Sequence, residues 1–314
     1  MSNVLTIRDR EKIAHHYNLP ITIFEDPRFS EQVDLLEEYF GTKSLYDKVT
    51  PMFELCPNLI DRTKTLSLKI IDEIANSKEF HDFSHNMDVD EVYGKDFAKG
   101  EKNYHKLYNE HFIGKRIVSF DLVKANFQSM RLSHPSIFNQ HLSFDNYLKE
   151  KLTELDKDYP AEYMIGAKMI RQIIFGKLNP QKQISILKRL TGNINEKMTR
   201  FHCNDLKLES FSHDELQFVL TKYTSMEEVR SYFKNLVPCE LDYRLEFFTI
   251  EEYGTEKFKF YCKRNLETDK VVPKNVSSHL LYEIICFMKG IEPKQYMKEF
   301  QFEGRKCQFI DSLF

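Results

Sequence analysis

The segment 206–220, LKLESFSHDELQFVL, constrains this chain most. Leu206 and Leu208 precede the polar tripeptide His213-Asp214-Glu215, Leu216, Phe218 and Leu220 follow it, and mostly polar residues lie between them. Period-two alternation on both sides of a short polar break describes two antiparallel strands joined by a tight turn. A hairpin with one apolar face must bury that face, and burial holds the tip rigidly. This tip carries two carboxylates, hard oxygen donors suited to a divalent cation. One such tip rarely supplies a whole site, so a second carboxylate is expected on a neighbouring strand.

The segment 116–122, RIVSFDL, supplies it. Val118, Phe120 and Leu122 would face a core and Asp121 the opposite side, at the strand's end and just before a helix. Between the two acidic segments lies 163–178, YMIGAKMIRQIIFGKL, which reads as one helix. Its projection gathers Lys168, Arg171, Gln172 and Phe175 on one side, with Ile165, Met169, Ile170, Ile173 and Ile174 opposite. The basic side suits an anionic ligand.

A strand-borne Asp leading into DLVKANFQSMR, a cation-bearing helix reading RQIIFG and a hairpin reading HDE, in that order, together resemble the motifs of family A polymerases. The stretch SMEEVRSYFKNLVPCELDYRLEF is similar to the helix, Val-Pro pair and final strand that close that family's palm, so the likeness covers roughly residues 115–253. The resemblance implies an α+β fold. A polymerase-like palm, an antiparallel sheet with helices, would span 111–255. Reduced helical fingers would occupy about 160–200, with 181–200 as a single returning helix. A largely helical, thumb-like lobe would precede the palm over 1–110, and an α/β extension would follow over 256–314.

The same resemblance implies the roles. Asp121 and Asp214 would hold Mg2+ or Mn2+, with the backbone carbonyl of Leu122 as a further ligand, and Glu215 would support the site. Arg171 and Lys168 would hold the triphosphate, with Phe175 near its sugar. The implied activity is nucleotidyl transfer from nucleoside triphosphates to a nucleic-acid 3′ end, DNA or RNA, by a two-metal mechanism. Departures from the pattern bear on that activity. Asn126 stands where the family's DNA polymerases carry a ribose-excluding Glu and the phage RNA polymerases carry Gly, so sugar choice stays open. Asn179 replaces an expected Tyr, and Ala167 an expected Arg. These departures suit the alternative of an inactive palm-fold protein that binds nucleotide or nucleic acid.

Charge does not announce a nucleic-acid partner, because 45 Lys and Arg are set against 48 Asp and Glu. Binding would need a local basic channel. Two clusters offer one, Lys182, Lys188, Arg189, Lys197 and Arg200, and Arg62, Lys64 and Lys69; solvated helix faces account for both equally well. A competing metal reading rests on His81, Asp82 and His85 with Asp88, Asp90 and Glu91, in a polar segment read as a loop. It would make the chain a metal-dependent phosphohydrolase.

Elsewhere, 30–40 and 58–76 read as helices, the second with Leu59, Leu66, Ile70 and Ile74 at helical spacing and Leu68 and Ile71 widening its apolar side. A strand is expected within 256–265, and a helix over 277–289 capped by Ser277 or Ser278. Phe300, Phe302, Phe309 and Phe314 read as core. Six scattered cysteines without a C-x-x-C pair argue against a zinc ribbon and for a reducing cytoplasm. No apolar run approaches the ~18 residues that span a bilayer, so no membrane partner is expected.

Overall fold

The computed structural model describes residues 5–94, 107–202, 204–221, 223–294, 298–302 and 305–308. Six strands, β1 (Arg116–Leu122), β2 (Leu206–Phe211), β3 (Glu215–Leu220), β4 (Tyr243–Gly254), β5 (Lys259–Asn265) and β6 (Val271–Lys274), form one sheet in the order β2-β3-β1-β4-β5-β6. Every neighbouring pair is antiparallel. The expected hairpin is β2–β3, and the Asp121 strand lies beside it. In register, Phe120 stands opposite Leu216 and Leu245, and Asp121 opposite Glu215 and Arg244.

Alternation sorts the two faces of the sheet. On one, Val118, Phe120, Leu122, Leu216, Phe218 and Phe247 form a core with α11 (Pro180–His202) and α12 (Met226–Leu236). Helix α12 starts at a capping box in which Ser225 and Glu228 satisfy each other's backbone N–H. On the other face Ile117, Phe248 and Ile250 are covered by Leu107 and Phe112. Farther along, this face turns polar, with Ser119 buried and Asp121 partly buried.

The amino-terminal region is helical, through α1 (Ile7–Tyr17), α2 (Arg28–Phe40), α3 (Thr42–Leu55), α4 (Leu59–Ala75), α5 (Lys78–His81) and α6 (Val89–Tyr93). Helix α4 buries Leu59, Leu66, Ile70, Ile71 and Ile74, but Leu68 is 50% exposed, outside the apolar stripe. Residues 82–86, read as a loop, continue from α5 as a π-helical turn. After β1 come α7 (Ala125–Ser133), α8 (Phe144–Leu155), α9 (Ala161–Gly166) and α10 (Lys168–Gly176), and α13 (Leu281–Lys289) follows the sheet.

Two helices depart from expectation. The segment 163–178 is broken at Ala167, whose backbone is extended. The Tyr163 carbonyl, which a continuous helix would offer to the Ala167 N–H, instead accepts the Tyr17 hydroxyl at 2.9 Å. Ala167 turns its N–H to Met164 O at 3.2 Å. The last long helix begins at Leu281 rather than 277 and has no side-chain cap, because 277–280 form a turn closed by Leu280 N–H to Ser277 O.

One apolar core runs from Ile13 and Phe29 through Ile70, Phe138, Tyr163 and Ile174 to Tyr282 and Ile285. It joins the amino-terminal helices to α8, α9, α10 and α13. A two-stranded ribbon, β7 (Glu299–Phe302) and β8 (Arg305–Gln308), completes the described chain. Phe300 is partly buried, its ring 4.6 Å from that of His279. Phe309, Phe314 and the Phe302 side chain lie outside the described residues. No described helix is long and apolar enough to cross a membrane.

Candidate active site

The turn between β2 and β3 is stitched in place by its own backbone and the Ser212 hydroxyl. Ser212 N–H donates to Glu215 O at 2.8 Å, Glu215 N–H to Ser212 Oγ at 3.1 Å, and Ser212 Oγ to Asp214 Oδ1 at 2.9 Å. The Leu122 N–H donates to Asp214 O at 3.0 Å, which ties the tip to the end of β1. Thr191 of α11 donates to His213 O at 3.3 Å from the other side. Asp121 and Asp214 therefore stand on two adjacent, mutually bonded strand ends.

The chain leaving β1 is fixed by Gln128. Its amide donates to the carbonyls of Val123 and Asp242, and its oxygen accepts the Asp242 N–H at 2.8 Å. Val123 N–H donates to Asp242 O at 3.0 Å. Gln128 is buried, so these bonds act away from competing water. They hold the first turn of α7, and with it Lys124 and Asn126, against the start of β4.

Helix α10 closes the opposite wall. A cleft of about 410 Å³ is lined by Asp121, Leu122, Lys124, Asn126, Lys168, Arg171, Gln172, Phe175, His213, Asp214 and Arg244, among others. Segments far apart in sequence thus converge on one cavity, and every expected site residue except Glu215 lines it. Glu215 lies against the sheet instead, its Oε1 accepting from Ser119 Oγ at 2.5 Å and from Gln217 Nε2 at 2.7 Å. Phe175 reaches the cleft only as part of its wall. Its ring is 1% exposed and packs on Phe138 and Phe144, so it is a core residue rather than an open stacking surface.

Burial raises the Asp121 carboxyl above its usual pKa, against the pull of Arg244 and with the nearby Glu215 and Asp214 charges adding to the rise. Arg244 Nη2 lies 2.7 Å from Asp121 Oδ2, on a side chain that is 70% exposed. Burial also weakens the hold of Arg171 on its proton, partly offset by Asp145. Lys124 pairs with that same Asp145 at 2.6 Å. Arg244, Lys124 and Asp145 were not singled out from the sequence. Arg244 follows from the β1–β4 register alone, which no local pattern reveals.

The other sequence candidates are engaged elsewhere. His81 and His85 stack on each other with centroids 4.5 Å apart, Asp82 accepts from Asn86, Asp88 caps α6, and Asp90 pairs with Arg189. Lys182 donates to Met87 O at 2.7 Å, and Arg62 pairs with Asp156. Three cations of the two proposed basic channels are thus spent on internal contacts.

Among the described residues no group of three or more His, Cys, Asp or Glu side chains is arranged to hold a metal ion. Asp121 and Asp214 bring two carboxylates to one cleft, and a pair of this kind would suit an ion such as Mg2+ that keeps several waters and completes its shell from substrate phosphates. It does not suit a closed structural site. The negative charge crowding Asp121 is the kind that a cation relieves. No protein-family model matches the chain and no curated protein matches its sequence, so the functional reading rests on the cleft and its motifs.

Proposed function

We propose that the cleft binds a nucleoside triphosphate and transfers its nucleotidyl group to the 3′ hydroxyl of a nucleic acid, with Mg2+ or Mn2+. The convergence of Asp121, Asp214, Lys168 and Arg171 on one cavity carries this reading. In it, the β2-β3-β1-β4 portion of the sheet with α11 and α12 is the palm, and α10 with the start of α11 stands for the fingers.

Asp121 and Asp214 would hold the ion, with the Leu122 carbonyl beside them. When bound, the ion polarises the phosphate oxygens and makes the attacking hydroxyl more acidic. Lys168 and Arg171 hold the triphosphate and supply positive charge as pyrophosphate leaves. Glu215, bound down by Ser119 and Gln217, keeps the strand ends in register. Asn126 lines the cleft with a neutral amide, which leaves both ribose and deoxyribose acceptable. Arg244 guards Asp121 in the ligand-free protein. Because most of its side chain is in water, the pair is weak and readily exchanged.

The Asp121–Arg244 pair also favours a second reading, a cleft that binds nucleotide without transferring it. The deciding experiment supplies labelled primer, with or without template, both kinds of nucleoside triphosphate, and Mg2+ or Mn2+. Extension is expected from the native chain. Asp121→Asn and Asp214→Asn should lower it by more than ~100-fold, beyond what losing a metal's outer partner costs. Triphosphate binding without extension under any condition would leave the second reading in place.

A further inference from the structure

The wall of the cleft beyond the carboxylate pair holds a charge arrangement that nucleotidyl transfer as described does not use. Lys124 follows β1 with a left-handed backbone, φ 50° and ψ 47°, which a residue bearing a Cβ adopts only when its surroundings impose it. The Gln128 bonds to Val123 and Asp242 impose it here. The Lys124 ammonium reaches Asp145, in the first turn of α8, with Nζ 2.6 Å from Oδ2. The other carboxylate oxygen, Oδ1, is buried and accepts no hydrogen bond among the described residues. Asp145 is also the charge that Arg171 feels most strongly after its own burial.

One carboxylate therefore pairs with Lys124 on the sheet side and lies within electrostatic reach of Arg171 on α10. Among the described residues the Arg171 guanidinium makes no side-chain hydrogen bond or ion pair, and neither does the Lys168 ammonium. A partly buried guanidinium carries five donors, and leaving them unmatched is costly unless an anion takes them. The Lys124–Asp145 pair is only partly shielded, with side chains 24% and 39% exposed, so an incoming anion of higher charge can replace the carboxylate.

We propose that Lys124 is the third cation of a polyphosphate subsite shared with Lys168 and Arg171, and that Asp145 is the counter-charge these cations exchange for phosphate oxygens. The proposal rests on the triphosphate reading of the cleft and names the residues that set its affinity. Lys124 enters when the ligand carries several linked phosphates and can reach both walls at once. A single phosphate is satisfied by α10 alone and leaves the Lys124–Asp145 pair closed. Asp145, which does not itself line the cleft, thus restrains the Lys124 ammonium and competes with an incoming anion for it.

Calorimetric binding of inorganic tripolyphosphate and of orthophosphate, at low salt and without metal or nucleic acid, tests this apart from any catalysis. Lys124→Met should weaken tripolyphosphate binding by about 10-fold, a typical loss for one charge-assisted contact, and leave orthophosphate nearly unchanged. Asp145→Asn, nearly isosteric, should tighten tripolyphosphate by several-fold, and that gain should shrink in the Lys124→Met background. A merely structural Asp145 would instead give weaker binding in its variant, and near-UV circular dichroism reports whether either variant keeps its fold. Unchanged tripolyphosphate affinity in Lys124→Met, or weakened affinity in folded Asp145→Asn, overturns the subsite while leaving primer extension as the separate test of nucleotidyl transfer. Failure of the native chain to bind tripolyphosphate at all likewise overturns the subsite, and primer extension with Mg2+ or Mn2+ still decides nucleotidyl transfer.

Discussion

At the scale of single residues, Asp121 shows how burial can set one carboxylate against stability. Its folded pKa lies above the ordinary carboxylate value, chiefly through burial. The folded protein then binds that proton more tightly than the unfolded chain does. The associated stability is present at low pH and is lost as pH rises through the folded pKa, so at neutral pH the charged form works against folding. Asp121→Asn should accordingly melt higher than the native chain at pH 7, and the difference should fade on acidification through the carboxylate range. Added Mg2+ should raise the melting temperature of the native chain and not of the variant. Melting curves over pH with and without Mg2+ check this; a variant that melts lower at pH 7 would mean that the Arg244 pair outweighs burial. The alternation around Phe120 made Asp121 legible in the sequence. Arg244 and Asp145 were not, since each meets its partner only through strand register or helix packing between distant segments.

At the scale of elements, legibility followed the reach of the forces involved. The β2–β3 hairpin and β1 are written in local alternation and turn residues, and they stand where the pattern puts them. The break between α9 and α10 is not local. It arises because Tyr17, in α1, donates its hydroxyl to the Tyr163 carbonyl and lays its ring against Gly166, where an added Cβ would come within 3.0 Å of Tyr17 Cε1. No periodicity over 163–178 carries that information. The break matters because Lys168 is the first residue after it, so the hydroxyl of Tyr17 helps aim the cationic side of α10. Tyr17→Phe keeps the ring and removes the donor, leaving the Tyr163 carbonyl short of a partner. Stability should fall by about 1–2 kcal/mol, the usual cost of orphaning a part-buried polar group. Urea denaturation gives that number, and faster amide exchange confined to 163–168 would locate it. Unchanged stability would assign the break to packing alone.

At the scale of the whole molecule, the cleft is built on two cores that meet at α7 and α11, the two helices with buried residues in both. The sheet core holds Asp121 and Asp214 through Phe120, Leu216 and Phe218, while the larger helical core holds α10 through Ile170, Ile174 and Phe175. Helices α1 and α4 pack on α10, so the cationic wall has little freedom to swing, and the triphosphate site proposed there would be set by packing rather than by closure. The far end of that same core is Tyr282 of α13. It is fully buried, with its hydroxyl 2.9 Å from Gln32 Oε1 and 3.2 Å from Pro20 O, and Gln32 in turn accepts the Ile23 N–H at 3.1 Å. A residue late in the chain thus completes the amino-terminal helices, an arrangement that neither segment's own pattern announces. Tyr282→Ala removes a large ring from a filled interior and strands the Gln32 network, a change that costs about 3–5 kcal/mol for buried aromatics. Because α13, α2 and α10 share one core, amide exchange in all three should accelerate together, and fluorescence and far-UV circular dichroism should report one transition shifted to lower denaturant. Loss of α13 in a separate early transition, with α10 still protected, would show instead that the carboxy-terminal helix is a dispensable cover and that the cleft stands without it.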